Sequence, residues 1–326
     1  MNSSLKNIAI LAGGNSSEAA VSIKSASIVE KNIKSRFNTF LIQVSNENWM
    51  YEENGQSYPI DKNDFSLSID SHKIMFDLVF IAIHGTPGED GKLQGYFDVL
   101  GIRYASSSLL SSALSFNKGV CNDYLKTHQV QVAKSVQLFK GVDFNPSEII
   151  NSLGLPCFVK PNQSGSSYGV SKVHGPSDLP EAIGEAFTYD NQVLVEAFIN
   201  GREVTCGVNN FNGVLTAMPI TEIITEHDFF DFDAKYNGAS QEITPADLPK
   251  HLTIAVQNAS KRIFQLLNLD GVARIDFIIQ DDTPYMIEAN TIPGLSAESI
   301  IPQQAKAMGY SLSDFFEAWV NHFLTD

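Results

Sequence analysis

The chain has few cysteines, and it has no long apolar run. Cys121, Cys157 and Cys206 are odd in number, widely spaced and without a Cys-x-x-Cys pair, which argues against disulfides and against zinc or iron–sulfur ligation. No segment approaches the roughly 18–20 uninterrupted apolar residues that a membrane span needs. The first ten residues lack the basic region of a secretory signal. These absences predict a cytoplasmic protein.

Positive charge is also scarce. The chain has 22 lysines and arginines against 37 aspartates and glutamates, so its formal net charge is −15. Because such a field repels nucleic acid and anionic lipid surfaces, we expect neither as a partner. Any polyanionic ligand must meet a local cluster of basic side chains. With 326 residues, 43% of them apolar and 18% charged, the chain has a globular composition and enough length for two or three domains.

Two strand–loop–helix units open the chain. Residues 7–12 form a short apolar run, and a glycine turn and a helix-like stretch to about residue 34 follow. Residues 77–83 form a second apolar run, followed by a loop over 84–91 and a helical stretch over 93–100. Alternating strands and helices predict a parallel sheet with ligand loops at the carboxyl ends of its strands.

Changes in composition divide the rest of the chain. Residues near 106–115 are rich in serine, and we place the end of an N-terminal α/β domain, 1–115, there. Short strands and turns over 116–210, with a predicted helix over 178–187 and a predicted strand over 192–197, indicate a central α+β domain. Residues 211–326 form the third predicted region, which includes an aromatic loop at about 226–241 and predicted helices near 247–268 and 311–324.

A predicted hairpin near the C-terminus sets acids and an amide on otherwise apolar strands. If the hairpin is centred on Asp282, Asp276 lies opposite Glu288 and Arg274 lies opposite Asn290, with all four side chains on one face. Directly opposed carboxylates repel each other. Since oxygen ligands of this kind suit Mg²⁺, the pattern predicts a metal site, and an exposed charged hairpin face is the alternative.

Two further segments are typical of a nucleotide site. Lys160 precedes a small-residue loop over 161–169 that can aim backbone N–H groups at phosphate oxygens. The spacing is not that of a Walker A loop. Residues 195–203 follow a strand and resemble a hinge that reads adenine and holds ribose with an acid. Each segment alone is also compatible with an ordinary strand and turn.

In combination these motifs resemble the ATP-grasp fold and, within it, the D-alanine–D-alanine ligases. The resemblance covers nearly the whole chain and keeps the family's order of signatures, which lie at residues 11–18, 83–91, 159–161, 165–167, 229–236, 274–276 and 288–294. It implies an N-terminal parallel-sheet domain followed by central and C-terminal α+β domains that enclose ATP.

The resemblance implies an ATP-dependent carboxylate–amine ligase. In the family, ATP phosphorylates the carboxylate of a first D-alanine, and the amine of a second attacks the acyl phosphate. Phosphate then leaves the tetrahedral intermediate to give D-alanyl-D-alanine, a precursor of cell-wall peptidoglycan. The expected cofactors are ATP and Mg²⁺, with two ions that Mn²⁺ can replace, and the expected assembly is a homodimer.

The resemblance also assigns roles to individual residues. The catalytic set is Glu18, Ser166, Tyr236, Arg274, Gly294 and Ser299. The substrate-binding residues are Glu18, Val21, His84, Arg274, Ser299 and Ile300. The nucleotide-binding residues are Lys118, Lys160, Ser166, Glu196, Ala197, Phe198, Ile199, Glu203, Lys235 and Asn290. The expected metal ligands are Asp276, Glu288 and Asn290.

Residues 229–236 resemble a lid that excludes water from the acyl phosphate. Tyr236 resembles the lid residue that joins Glu18 and Ser166 in a hydrogen-bonded set. Ester-forming relatives carry Phe at this position, so Tyr236 favours a dipeptide product. Glu298 departs from the simplest expectation, because it adds negative charge where the second substrate's carboxylate docks.

Three other functions remain open on the sequence alone. Another ATP-grasp ligase, for D-alanyl-D-lactate or L-amino-acid dipeptides, would share the ATP and Mg²⁺ residues. A dinucleotide-binding oxidoreductase would fit the opening strand, glycines and helix, although residues 12–17 lack the GxGxxG spacing. A nucleotide sensor would keep the fold without the chemistry, and it would not require an oxyanion donor such as Arg274.

Overall fold

The structure is a computed structural model that describes residues 5–16, 18–225 and 240–325. Its strands are, in chain order, β1 Asn7–Gly13, β2 Asn38–Val44, β3 Trp49–Glu53, β4 Gln56–Asp61, β5 Ser66–Ile69, β6 His72–Ile74, β7 Leu78–Ile81, β8 Tyr104–Ala105, β9 Ser135–Phe139, β10 Cys157–Pro161, β11 Ser171–Val173, β12 Gln192–Ala197, β13 Arg202–Asn209, β14 Thr216–Ala217, β15 Thr221–Thr225, β16 Ser240–Ile243, β17 Val272–Gln280 and β18 Thr283–Asn290. Its α-helices are α1 Ala19–Ile33, α2 Lys92–Leu100, α3 Leu109–Phe116, α4 Lys118–Thr127, α5 Pro146–Leu153, α6 Leu179–Tyr189, α7 Lys250–Leu266, α8 Ile300–Ala307 and α9 Leu312–Leu324. None of these helices is long and apolar enough to cross a membrane.

The first sheet contains eight strands in the order β6-β5-β4-β3-β2-β1-β7-β8. The predicted parallel arrangement is confirmed for β2, β1, β7 and β8. It does not extend to β3–β6, which form an antiparallel meander that we did not predict. These strands are short and half exposed, so their apolar pattern is weak. An aromatic cluster formed by Phe40, Tyr51 and Phe65 packs beneath them.

Helix α1 is tied to the ends of two parallel strands by Ser22. Its hydroxyl accepts a hydrogen bond from the Gly13 N–H at 2.9 Å and donates one to the Ala82 carbonyl at 2.7 Å. Ser22 is fully buried, so these contacts satisfy a polar group that would otherwise be costly. They fix the N-terminal end of α1 above the carboxyl ends of β1 and β7.

Two further sheets make up the α+β part of the chain. The second sheet has the order β11-β10-β12-β9, and the third has the order β16-β15-β13-β17-β18 with β14 paired to β13. Helix α6 packs on the second sheet, and α7 packs on the third. The predicted strand over 192–197 and the predicted helices near 178–187, 247–268 and 311–324 are confirmed to within a few residues.

The limits of the three domains remain a prediction. The C-terminal helix packs on the N-terminal sheet, and a helix occupies the serine-rich stretch at the first predicted limit. Helix α9 packs back against the first sheet, where Trp319 contacts Phe80 with ring centroids 5.1 Å apart. The serine-rich stretch near 106–115 contains helix α3, which Ser108 caps by accepting a hydrogen bond from the Ser111 N–H. Serine favours this position because its hydroxyl satisfies a free N–H group of the first turn.

Candidate active site

Strands β17 and β18 form the antiparallel hairpin that the sequence predicts. Asp276 lies opposite Glu288, and Arg274 lies opposite Asn290, so the predicted pairing is confirmed. These strands form one edge of the third sheet. The four polar side chains therefore share one face of an otherwise apolar hairpin.

The pairing arises in a way that the sequence did not indicate. The turn is centred between Asp281 and Asp282, whose φ values of 48° and 59° are those of a tight hairpin turn. The register then shifts between Asp276 and Phe277, so that Ile287 is an extra residue in β18. Without this bulge, Asp276 would face Ile287. The side chain of Glu288 would then point to the opposite face of the hairpin, because successive side chains of a strand alternate between faces.

The carboxylate of Asp276 is enclosed by hydrogen-bond donors. The Nε and Nη2 atoms of Arg274 each donate to it at 2.9 Å, and the Asn290 amide donates at 3.0 Å. The Thr205 hydroxyl also donates to it. Arg274 thus neutralises one of the two opposed carboxylates.

The second carboxylate, Glu288, lies 3.3 Å from the Lys118 ammonium. Among the residues that the structure describes, no group of three or more histidine, cysteine, aspartate or glutamate side chains is arranged to hold a metal. Asp276, Glu288 and Asn290 instead supply two carboxylates and an amide. This all-oxygen set fits Mg²⁺, which commonly takes one or two carboxylates and completes its shell with water and phosphate oxygens.

A first cavity of about 160 Å³ is lined by residues of the second and third sheets. Seven of the predicted nucleotide-binding residues line it: Lys118, Lys160, Ser166, Glu196, Ala197, Ile199 and Glu203. Phe158 lines it as well, and Phe198 packs beside Phe158 with ring centroids 6.1 Å apart. We call this the nucleotide cavity.

Two lysines bring positive charge to the nucleotide cavity. Lys160 forms a largely buried salt bridge with Glu196, whose other oxygen accepts a hydrogen bond from Asn122. Lys118 is the first residue of α4, and its ammonium donates to the Ser164 carbonyl at 2.7 Å. The third predicted lysine, Lys235, lies outside the described residues. Both described lysines therefore reach the cavity, and each also lies beside a carboxylate of its lining.

A second cavity of about 550 Å³ adjoins the first. All six predicted substrate-binding residues line it: Glu18, Val21, His84, Arg274, Ser299 and Ile300. Asn290 and Gly294 line it too. We call this the substrate cavity.

Glu18 and Ser166 meet where the two cavities join. The Ser166 hydroxyl donates a hydrogen bond to the Glu18 carboxylate across 148 positions of sequence. Gly165 makes this approach possible, because a Cβ atom there would lie 2.5 Å from Glu18 Oε2. Tyr236, the third member of the predicted set, lies outside the described residues, as does most of the predicted lid.

Helix α8 begins at the far side of the substrate cavity. Ser299 precedes its first turn, and the Ser299 hydroxyl lies 2.9 Å from that of Ser296. A helix N-terminus favours a bound carboxylate. The added charge of Glu298 is met by Lys24, whose ammonium lies 3.5 Å away, and both side chains are largely exposed.

Two acidic residues of the substrate cavity were missed by the sequence analysis. Burial raises the pKa of Glu89 to about 8, and the Glu18 carboxylate adds to the shift. Burial also raises the pKa of Glu242, although Arg274 partly offsets this. Glu89 lies in the 84–91 loop, which was recognised as a motif, whereas the polar strand that carries Glu242 offers no comparable signal.

The two cavities share four lining residues, which are Gly165, Ser166, Arg274 and Glu288. A ligand phosphate near Lys118 and a small ligand beside Glu18 would therefore approach each other at Arg274. The site can bring a transferable phosphoryl group next to a small acceptor, with a cationic donor at the junction.

Two family models match the chain. One is described as D-ala D-ala ligase N-terminus and matches residues 7–107; the other is described as D-ala D-ala ligase C-terminus and matches residues 125–321. The D-alanine--D-alanine ligase of Flavobacterium johnsoniae is 49% identical over 96% of this chain and 97% of its own length.

Solved structures are similar over the whole chain. The VanG D-Ala:D-Ser ligase from Enterococcus faecalis is 31% identical with a TM-score of 0.85, over 98% of this chain and 99% of that protein. The D-alanine–D-alanine ligase from Bacillus anthracis complexed with ATP is 28% identical with a TM-score of 0.78, over 98% and 97% of the two chains.

Proposed function

The chain belongs to the D-alanine–D-alanine ligase family, and from this premise we propose that it joins two molecules of D-alanine to D-alanyl-D-alanine in an ATP-dependent reaction. The structural observation that carries the proposal is the junction of the two cavities at Arg274 and Glu288. Phosphoryl transfer followed by amide formation requires the nucleotide and the amino acids to share such a junction.

The nucleotide cavity holds ATP in this proposal. Lys118 and Lys160 bind phosphate oxygens, and Glu203 binds the ribose. Mg²⁺ held by Asp276, Glu288 and Asn290 would neutralise charge on the transferred phosphoryl group. Glu196 pairs with Lys160 and Glu288 with Lys118, and each ammonium has three donors, so it can bind a phosphate oxygen beside its carboxylate. Lys235, which lies outside the described residues, is proposed to add a third contact.

The first D-alanine binds with its ammonium at Glu18. Its carboxylate oxygen attacks the γ-phosphorus of ATP, and ADP leaves with the bridging oxygen. Attack of the second amine then places negative charge on the former carbonyl oxygen. Arg274 and the Gly294 N–H stabilise this charge, and removal of one such donor typically costs on the order of 10²–10³ in rate.

The second D-alanine binds with its carboxylate at Ser299 and the Ile300 N–H, where α8 begins. Its neutral amine forms the new C–N bond, the acyl C–O bond to phosphate breaks, and the leaving phosphate takes up the proton that the amine nitrogen releases. The Lys24 ammonium at the mouth offsets the negative charge of Glu298. A cytoplasmic homodimer and a water-excluding lid over about 226–241 complete the proposal.

The test is a panel of D-alanine, L-alanine, D-serine and D-lactate with ATP and Mg²⁺, followed by phosphate release and product mass. We expect turnover with D-alanine alone to give the dipeptide, and little turnover with L-alanine. Equal turnover with L-alanine would remove the stereochemical assignment. A higher kcat/KM for D-serine or D-lactate as second substrate would replace the proposed product. Light scattering measures the oligomeric state.

A further inference from the structure

Residues 292–295 lie in the segment that connects β18 to α8, and they include Gly294. Three side chains from the N-terminal part of the chain hold this connection. His84 Nδ1 lies 2.9 Å from the Ile292 carbonyl, and Ser25 Oγ accepts from the Leu295 N–H at 3.2 Å. Glu89 accepts from the Ile292 N–H at 3.4 Å. The backbone is thus tied on both sides of Gly294, and none of these bonds uses the Gly294 N–H itself.

The hydrogen bonds determine where the proton of His84 lies. A carbonyl oxygen can only accept, so Nδ1 must donate to Ile292. Neutral imidazole carries one N–H, so Nε2, which lies 3.3 Å from Ser25 Oγ, must accept the serine proton. The serine oxygen then accepts from Leu295. The result is a directed chain from Leu295 through Ser25 and His84 to Ile292.

Burial supports this arrangement. His84 is 6% exposed and Ser25 is 1% exposed, and burial lowers the pKa of His84 from its ordinary value. Glu89 is also fixed on its other oxygen, which accepts from the Gly85 N–H at 2.7 Å. The side chains of His84 and Glu89 therefore both bind the backbone of Ile292.

We propose that Ser25, His84 and Glu89 form a clamp that positions the Gly294 N–H for stabilising the tetrahedral intermediate. The clamp residues act through the backbone of residues 292–295, so they are positioning residues. The inference deepens the proposed function and rests on it for its kinetic tests. His84 thus holds residues 292–295 through Nδ1, whereas the family resemblance implied that His84 contacts the substrate.

The first test uses two amide substitutes that mimic different ring nitrogens. The side-chain nitrogen of His84→Asn occupies the region of Nδ1 and retains a donor to Ile292, whereas that of His84→Gln occupies the region of Nε2. We expect His84→Asn to keep kcat within about fivefold of the natural protein and His84→Gln to lose about 10²-fold, with KM for ATP unchanged in both. A more active His84→Gln variant would assign His84 to direct substrate contact and overturn the clamp.

The second test uses a matched pair of serines on α1. Ser25→Ala removes the two hydrogen bonds of the serine hydroxyl, one with His84 and one with the Leu295 N–H. We expect kcat to fall at least about tenfold without a change in KM for ATP. Ser27→Ala is the control, because the Ser27 hydroxyl bonds only to the Ile23 carbonyl of its own helix. Equal kcat values for the two variants would overturn the clamp.

The third test needs no turnover. Nitrogen-15 spectra of the ¹⁵N-histidine-labelled natural protein report which ring nitrogen of His84 carries the proton. We expect the neutral Nδ1–H tautomer, with an Nε2 resonance that shifts in Ser25→Ala. An Nε2–H tautomer would overturn the clamp even if the enzyme is active. Failure of D-alanine ligation by the natural protein would instead overturn the proposed function, so the two failures are distinguishable.

Discussion

Asp276 and Glu288 face each other across β17 and β18 because Ile287 bulges out of β18. The bulge shifts the register by one residue and turns both carboxylates to the same face. Arg274 and Lys118 balance the two negative charges. Opposed carboxylates with this support are the arrangement expected of groups that bind a cation next to phosphate.

Replacing Glu288 with Gln tests this arrangement. The substitution keeps the size of the side chain and removes its charge, so we expect ligation to fall at least about 100-fold while the protein stays folded. Phosphate release across a Mg²⁺ titration measures the effect, and circular dichroism checks the fold. Asp282→Asn in the hairpin turn is the matched control, since Asp282 lies far along the hairpin and is exposed. Full activity in Glu288→Gln would remove the metal assignment.

Replacing Gly165 with Ala tests the contact between Glu18 and Ser166. The new Cβ atom would lie 2.5 Å from Glu18 Oε2, so the carboxylate must move and the hydrogen bond to Ser166 is lost. We expect KM for the first D-alanine to rise about tenfold or more, which corresponds to about 1.4 kcal/mol of binding. Steady-state kinetics at saturating ATP measure it. An unchanged KM would show that Glu18 does not bind the first substrate.

Replacing Gly184 with Ala is expected to stabilise the protein. Gly184 lies inside α6, and a Cβ atom there would meet nothing within 4 Å. Alanine is favoured over glycine in a helix interior by about 0.5–1 kcal/mol, because it loses less backbone entropy on folding. Urea unfolding measures the free energy, and ligation kinetics should not change. A destabilised variant would contradict the helical geometry at this position.

His84 is expected to make stability depend on pH. Burial lowers the pKa of His84 in the folded protein below the value of about 6.5 that the unfolded chain has. The unfolded state therefore binds more protons between these two values. The stabilising contribution of neutral His84 is present in full above about pH 6.5 and is lost as the pH falls through the folded pKa.

The comparison with His84→Asn isolates this effect, because asparagine does not titrate. Urea unfolding of both proteins from pH 8 down to pH 5 should show the natural protein losing stability relative to the variant as the pH falls. Titrating groups that do not interact with His84 cancel in the difference. A difference between the two proteins that does not change with pH would contradict a buried, neutral His84.

Much of the site follows from residues that act locally. The apolar runs of β1 and β7 indicated buried parallel strands, and the polar turn before Thr283 indicated a hairpin. The predicted opposition of Asp276 and Glu288 was correct, but its assumed symmetric centre was not: the observed turn shifts the register by one residue, and the bulge at Ile287 shifts it back. A bulge depends on how β18 packs in the third sheet, and no local pattern marks Ile287.

The meander β3–β6 shows why other parts escaped prediction. Its strands alternate poorly and contain serine, glutamate and lysine, so their sequences resemble polar connections. Their apolar side chains, Tyr51 and Leu67 among them, pack in one cluster with Phe40 and Phe65, and the sequence pattern does not indicate this packing. Helix α9 was recognised as a helix, but nothing local indicates that its Trp319 packs on Phe80 of the first sheet.

By itself, the sequence determined the order of the motifs, the types of the buried strands and the charges available to each loop, because these depend on neighbouring residues. Only the tertiary structure decided which loops meet. His84 and Ile292 are separated by 208 positions, and their hydrogen bond depends on packing of α1 and the third sheet around one cavity. Contacts over such distances have no periodicity in the sequence, so the clamp and the junction at Arg274 emerge only when the chain is folded.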